Sequence, residues 1–264
     1  EQDAQWSNLE QFRRRRHELV EGATLSGEGV DLLALVDLEE LTDDSRAPVQ
    51  TLLDQYASEL DRAIIERQRA VKKLRDAEAA EDASGADLPE EQEQQLRDDI
   101  RDRAAAIRDL NRRYVRLFAA ELGTDAGARV ETAYQRASFP SVYSESAADK
   151  AFATALAMED LSDDQTAQLK AMVAGFERDR AAMNQKIAEA IEEQEMTRRE
   201  PQRRGGPPRF FGGPGPEDEK VRDLLRSRRD FDQAAIARLT TVLSADQAAR
   251  LPETPSDDWR TEEF

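Results

Sequence analysis

Two groups of residues in this chain have types and spacing that could do chemistry: its carboxylates, and a set of arginines beside phenylalanine. Asp and Glu total 56 against 38 Lys and Arg, with one His and no Cys. A carboxylate pair performs acid–base catalysis only where burial or a like charge lifts one member toward neutral pH. Here every plausible pair falls on the charged face of a helical pattern, where nothing would do that lifting. The sequence holds no GxGxxG, Walker loop, HExxH, nucleophile elbow or DxDxDG calcium loop. A chain without Cys has no thiol nucleophile, disulfide or zinc–thiolate site. His17 is the only histidine, and a ligand or catalytic role would need partners the sequence does not supply. These residues describe a protein that is not an enzyme and uses no metal or cofactor.

The second group lies within "MTRREPQRRGGPPRFFGGPGPEDE" at 196–219, where Arg198, Arg199, Arg203, Arg204 and Arg209 stand beside Phe210 and Phe211. Its Pro and Gly prevent helix, and two adjacent Phe in such a stretch have no local core to join. Arg and Phe together offer cation and aromatic contacts to an acidic or unfolded protein. These seven residues are the candidate client- or partner-binding set; a tolerated solvated turn is the alternative. The net charge of −18 argues against nucleic acid, because phosphate contact needs a basic face. The four arginines in "QFRRRRHELV" at 11–20 wrap round a helix rather than forming one face, which reads as a solvated helix with Phe12, Leu19 and Val20 against the core. Trp259 and Phe264 in the tail "SDDWRTEEF" are expected to dock on the end of a bundle. No apolar run reaches the ~20 residues of a membrane span.

The elements that position these residues are long helices, arranged twice. At an offset of 120, Leu41, Asp43, Asp44 and Ala47 fall on the identical Leu161, Asp163, Asp164 and Ala167, and Tyr56 falls on Phe176. At an offset of 121, Leu122, Asp125, Ala128 and Arg129 meet Leu243, Asp246, Ala249 and Arg250. In the first copy Val49, Leu53, Tyr56, Leu60, Ile64, Val71 and Leu74 keep three–four spacing over 45–78. Ile100, Ala104, Ile107, Leu110, Tyr114 and Leu117 do so over 89–121. The second copy repeats the pattern with Leu169, Met172, Phe176 and Ile187, and with Val221, Leu225, Phe231 and Leu239. Each stripe is too narrow to be buried by one helix. The expected fold is therefore all-α: two tandem long antiparallel helical hairpins packed stripe to stripe as a pseudo-dimeric bundle or cradle. Residues 1–140 would hold an N-terminal helix and the first hairpin, and 141–264 the second, with its Arg/Pro/Gly/Phe-rich loop at 196–217.

The helix starts share a pentapeptide. In "LSDDQ" Ser162 and Gln165 form a capping box behind Leu161, and "LSADQ" supplies Leu243, Ser244 and Gln247. "LTDDS" keeps Leu41 and Thr42 but lacks the Gln; "LGTDA" at 122–126 retains little, and "DLPEE" at 87–91 is an Asp-x-x-Glu version. Singly, these are helix starts.

Their paired placement, one opening a long charged helix and one ending its returning partner, resembles the LTxxQ proteins of the Spy/CpxP type. The likeness covers 38–131 and again 158–252. It implies a periplasmic all-α cradle acting as an ATP-independent chaperone or envelope-stress modulator that binds partly unfolded clients. A cysteine-free chain beginning at Glu1 rather than Met fits a mature extracytoplasmic protein whose signal peptide has been removed. This chain departs from the family in holding two units, so that a monomer could mimic the family's dimer. It is also acidic, and it lacks the His and Met ligands of the metal-responsive branch. The alternative is a helical scaffold or adaptor that docks one folded partner, such as an envelope protein, without chaperone activity.

Overall fold

The structure, a computed structural model, describes residues 2–36, 43–197 and 216–252. Over these residues the chain is all-α and contains no strand. It divides into two compact units, Glu1–Pro140 and Ser141–Phe264, each with a core of its own.

In the first unit α1 (Gln2–Val20) leads through an irregular segment with a 3-10 turn at Leu32–Ala34 into α2 (Asp43–Ser84) and α3 (Glu90–Ser138). The last two run antiparallel: Tyr56 packs on Phe118, Glu59 meets Tyr114, Lys73 meets Asp99 and Glu78 meets Arg97, so partners descend along α3 as they climb α2. Val49, Leu53, Tyr56, Leu60 and Ile64 are all buried, which is the periodic stripe of α2 turned inward. Tyr56 packs edge-on against Tyr114, ring centroids 5.2 Å apart, with Phe118 alongside. Pro89 occupies the N-cap position of α3 and makes no side-chain capping bond, so the helix starts later than the expected Asp-x-x-Glu box. Glu90, Glu91 and Glu93 still place negative charge on its first turn.

The second unit repeats this plan. A short α4 (Pro140–Tyr143) and α5 (Ala147–Leu156) precede the hairpin of α6 (Asp163–Thr197) and α7 (Pro216–Val242), which ends in a short α8 (Ala245–Ala248). Leu169 and Phe176 of α6 face Ala235 and Leu239 of α7, and Phe231 stacks on Phe176 at 5.3 Å. Ser146 and Asp149 open α5 with a reciprocal capping box, a start the sequence reading passed over.

The cover over each apolar stripe comes from within its own unit. Leu19, Val30, Leu32 and Val36, all ahead of α2, join the core of α2 and α3. Ala148, Ala151, Phe152 and Ala155, all ahead of α6, do the same in the second unit. At the same offset of 120, Phe152 falls on Leu32. The expectation for α1 needs correction: only Leu19 reaches the core, while Phe12 and Val20 are 49 % and 75 % exposed. Within 10–20, where its side chains are described, α1 also makes ion pairs, with Arg14 on Asp61 at 2.8 Å and Arg15 on Asp31 at 3.1 Å.

Candidate functional site

The two complete pentapeptides meet. Ser162 accepts from the Gln165 amide at 3.2 Å, and Gln165 Oε1 accepts from the Ser162 amide at 3.0 Å. Ser244 and Gln247 form the same box at 3.3 and 2.9 Å. Each glutamine then uses its amide nitrogen on the other motif. Gln165 Nε2 donates to the Val242 carbonyl at 2.9 Å, and Gln247 Nε2 donates to the Asp160 carbonyl at 3.0 Å. Both carbonyls belong to the residue just before the opposite motif's leucine, so the contact is reciprocal. A further bond from Gln165 Nε2 to Gln247 Oε1 at 2.9 Å joins the two side chains directly.

This arrangement explains why the last position is glutamine. The side chain must accept from its own serine amide and donate across to the partner, which needs a carbonyl and an NH2 on one planar group. A carboxylate would cap but could not donate. Leu161 and Leu243 pack in the core directly beneath, and Gln247 is itself buried. On the rim Arg250 Nη2 pairs with Asp160 at 2.6 and 2.8 Å. The hydrogen bond from Arg250 holds the Asp160 carboxyl below its ordinary range, against a small opposing effect of desolvation. The motif is thus a clasp that ties the start of α6 to the end of α7.

In the first unit Ser45 and Ala126 stand where Gln165 and Gln247 stand in the second, so both halves of the clasp are missing together. Leu41 and Thr42 lie outside the described residues. At the position of Ser244 the first unit has Gly123, with φ 77° and ψ −175°, a backbone state that non-glycine residues rarely adopt. The chain breaks there and resumes as helix, so that Val130 and Tyr134 return to the core that Tyr56 occupies.

Polar side chains inside the apolar stripes were not anticipated, and they hold the covering segments. In the first unit Glu28 is 1 % exposed and pairs with Arg67 at 2.7 Å; Arg67 also reaches Glu18 at 3.0 Å. Glu28 Oε2 accepts from the amides of Thr24 and Leu25 at 2.6 and 3.1 Å. Asn111 Nδ2 donates to the carbonyls of Gly27 and Val30 at 2.8 and 3.1 Å, and its Oδ1 accepts from the Tyr56 hydroxyl at 2.9 Å. Burial pushes the Tyr56 hydroxyl strongly up, partly offset by the hydrogen bond from the Leu32 amide, so it stays protonated. In the second unit Arg228 donates to the Val142 carbonyl at 3.2 Å and to Asn184. Arg180 donates to the Ser144 carbonyl at 2.9 Å and to Asp149. The signal that could have found them is a skipped beat. The apolar stripe of α2 jumps from Ile64 to Val71, and Arg67 sits in the gap.

Arg198, Arg199, Arg203, Arg204, Arg209, Phe210 and Phe211 lie outside the described residues, as do Trp259 and Phe264. Among the described residues no group of three or more His, Asp or Glu side chains could hold a metal ion. No described helix is long and apolar enough to cross a membrane. Comparison of the chain with protein-family models, curated proteins and solved structures finds no match.

Proposed function

We propose that this protein is a non-enzymatic, extracytoplasmic, ATP-independent chaperone or stress modulator that holds partly unfolded clients. The observation that carries the reading is the reciprocal clasp of Gln165 and Gln247, because it places the two pentapeptides at the two ends of one hairpin and in contact. That paired placement is the feature on which the likeness to the Spy/CpxP type rests. The Arg and Phe residues at 198–211 remain the candidate client-binding set, and the acidic surface would favour clients with basic segments. The test is suppression of aggregation of several unrelated unfolding proteins at near-stoichiometric ratio without ATP. Protection of three such clients supports the reading, and protection of none removes it.

One observation favours an adaptor that docks a single folded partner instead. Among the residues whose side chains are described, 10–36, 46–197 and 218–252, the exposed large apolar ones are Phe12, Val20, Leu117 and Leu156, which is little open surface for a holdase. Capture of one folded protein, with no protection of any unfolding client, would establish that alternative.

A further inference from the structure

The four arginines at 13–16 are divided by the helix that carries them. Arg14 and Arg15 turn inward, onto Asp61 of α2 and Asp31 of the covering segment. Arg13 and Arg16 are exposed, and no described carboxylate pairs with either. Phe12, Arg16 and Val20 follow one another at four-residue steps, and Arg13 stands three residues before Arg16 and seven before Val20. All four therefore share one face of α1. The helical register carries that face back to Leu9 and Trp6, seven residues ahead of Arg16 and Arg13. The nearest acids lie off it. Glu18 is turned inward, where it accepts from Arg67 and Gln68 at 3.0 Å each. Glu21 lies on the border, 3.3 Å from His17 Nε2, and Glu10 stands seven residues before that histidine.

In a chain of net charge −18, this outer face thus sets two unpaired guanidiniums among apolar side chains with no acid between them. What it fits must offer anions and apolar matter together. It is also the convex side of a single helix, which cannot enclose a peptide. A lipid surface asks for no enclosure: acyl chains close round Phe and Val while headgroup phosphates meet the arginines, whose long stems reach outward from the same face. Carboxylates elsewhere in the chain are repelled by such a surface. Beyond a Debye length of about 8 Å that repulsion is largely screened, so it orients the contact without abolishing it.

We propose that the outer face of α1, built of Phe12, Arg13, Arg16 and Val20, docks the protein on an anionic lipid surface with the helix lying in the plane of the headgroups. This goes beyond client holding and does not rest on it.

The test is co-flotation of the full chain with vesicles of phosphatidylglycerol and phosphatidylcholine, against vesicles of phosphatidylcholine alone. The native chain should float with the first and stay behind with the second, and high salt should release it. Arg13→Gln with Arg16→Gln should weaken partitioning at least about tenfold, since each arginine near an anionic surface contributes about fivefold. Phe12→Ser with Val20→Ser should weaken it by a similar factor through lost apolar burial. All four side chains are exposed, so both variants should keep native helicity. The chain has no cysteine, so Val20→Cys carries a single environment-sensitive dye whose emission should shift to the blue with the anionic vesicles only. Failure of the native chain to float with those vesicles, or equal flotation with both kinds, overturns the proposal. Flotation that survives both double variants overturns it too, as it would if the Arg and Phe residues at 198–211 carried the binding. So does an unchanged dye spectrum in a chain that floats.

Discussion

The first unit anchors the segment ahead of its hairpin through buried charge and lacks the glutamine clasp; the second has the clasp and covers its hairpin with a capped helix. One helical plan is thus closed in two ways. In the second unit the ends of α6 and α7 are tied through Gln165 and Gln247. In the first, both glutamines are gone, α3 breaks at Gly123, and the polar bonds gather higher up, at Glu28, Arg67 and Asn111. The comparison teaches that the pentapeptide is one solution to joining a hairpin's ends. A chain that loses it must find its specificity elsewhere.

The sharpest way to break the comparison is Arg67→Ala. It leaves Glu28 buried without its counter-ion, which typically costs about 3–5 kcal/mol. Native-state hydrogen exchange should show the loss in the first unit only. Arg67→Met with Glu28→Met should recover most of it, and failure to do so would mean the pair is not what holds the segment. Next in size is Gly123→Ser, which writes the second unit's residue into the first. No atom lies within 4 Å of the new Cβ, so the cost is conformational, about 1–3 kcal/mol for a non-glycine residue at that φ. Ser244→Gly, the reverse exchange at an ordinary φ of −68°, should cost only a few tenths of a kcal/mol.

Gln247→Ala removes one cap and one cross-motif donor and should destabilise the second unit by about 1–2 kcal/mol. With Gln165→Ala the double change should fall short of the sum, because both act on one network. Full additivity in denaturant titrations would show two independent caps rather than a clasp. The smallest effect belongs to Asp160. Its carboxyl titrates below the ordinary range in the folded chain, because Arg250 donates to it. Its contribution is therefore present above the unfolded carboxylate range and fades as pH falls through the folded value. Asp160→Asn should cost the second unit a little stability at neutral pH and flatten its acid limb below about pH 4, where the two chains converge.

Much of this was legible in the residues. The three–four spacing of Val49 to Ile64 and of Leu169 to Phe176 gave the hairpin arms, and the offset of 120 gave the duplication. The capping boxes at Ser162 and Ser244 were readable one at a time. Their meeting was not, because nothing local says that a residue at 165 faces one at 247. The covering segments were missed for a related reason. Residues 21–36 have no helical period, and their place is set by Asn111 and Arg67 far along the chain. Phe12 and Val20 were misplaced because an apolar residue on a short helix reads the same whether it points in or out.

The bond from Asn111 to the Gly27 carbonyl spans 84 positions. During synthesis, residues 25–36 leave the ribosome long before the side chains that will receive them exist. At the usual 5–20 residues per second that interval is about 4–17 seconds. The nascent protein thus carries a bare apolar stretch through its earliest moments. In the second unit Arg228 follows Val142, whose carbonyl it binds, by 86 positions, so both covering segments wait about equally long for their last partner.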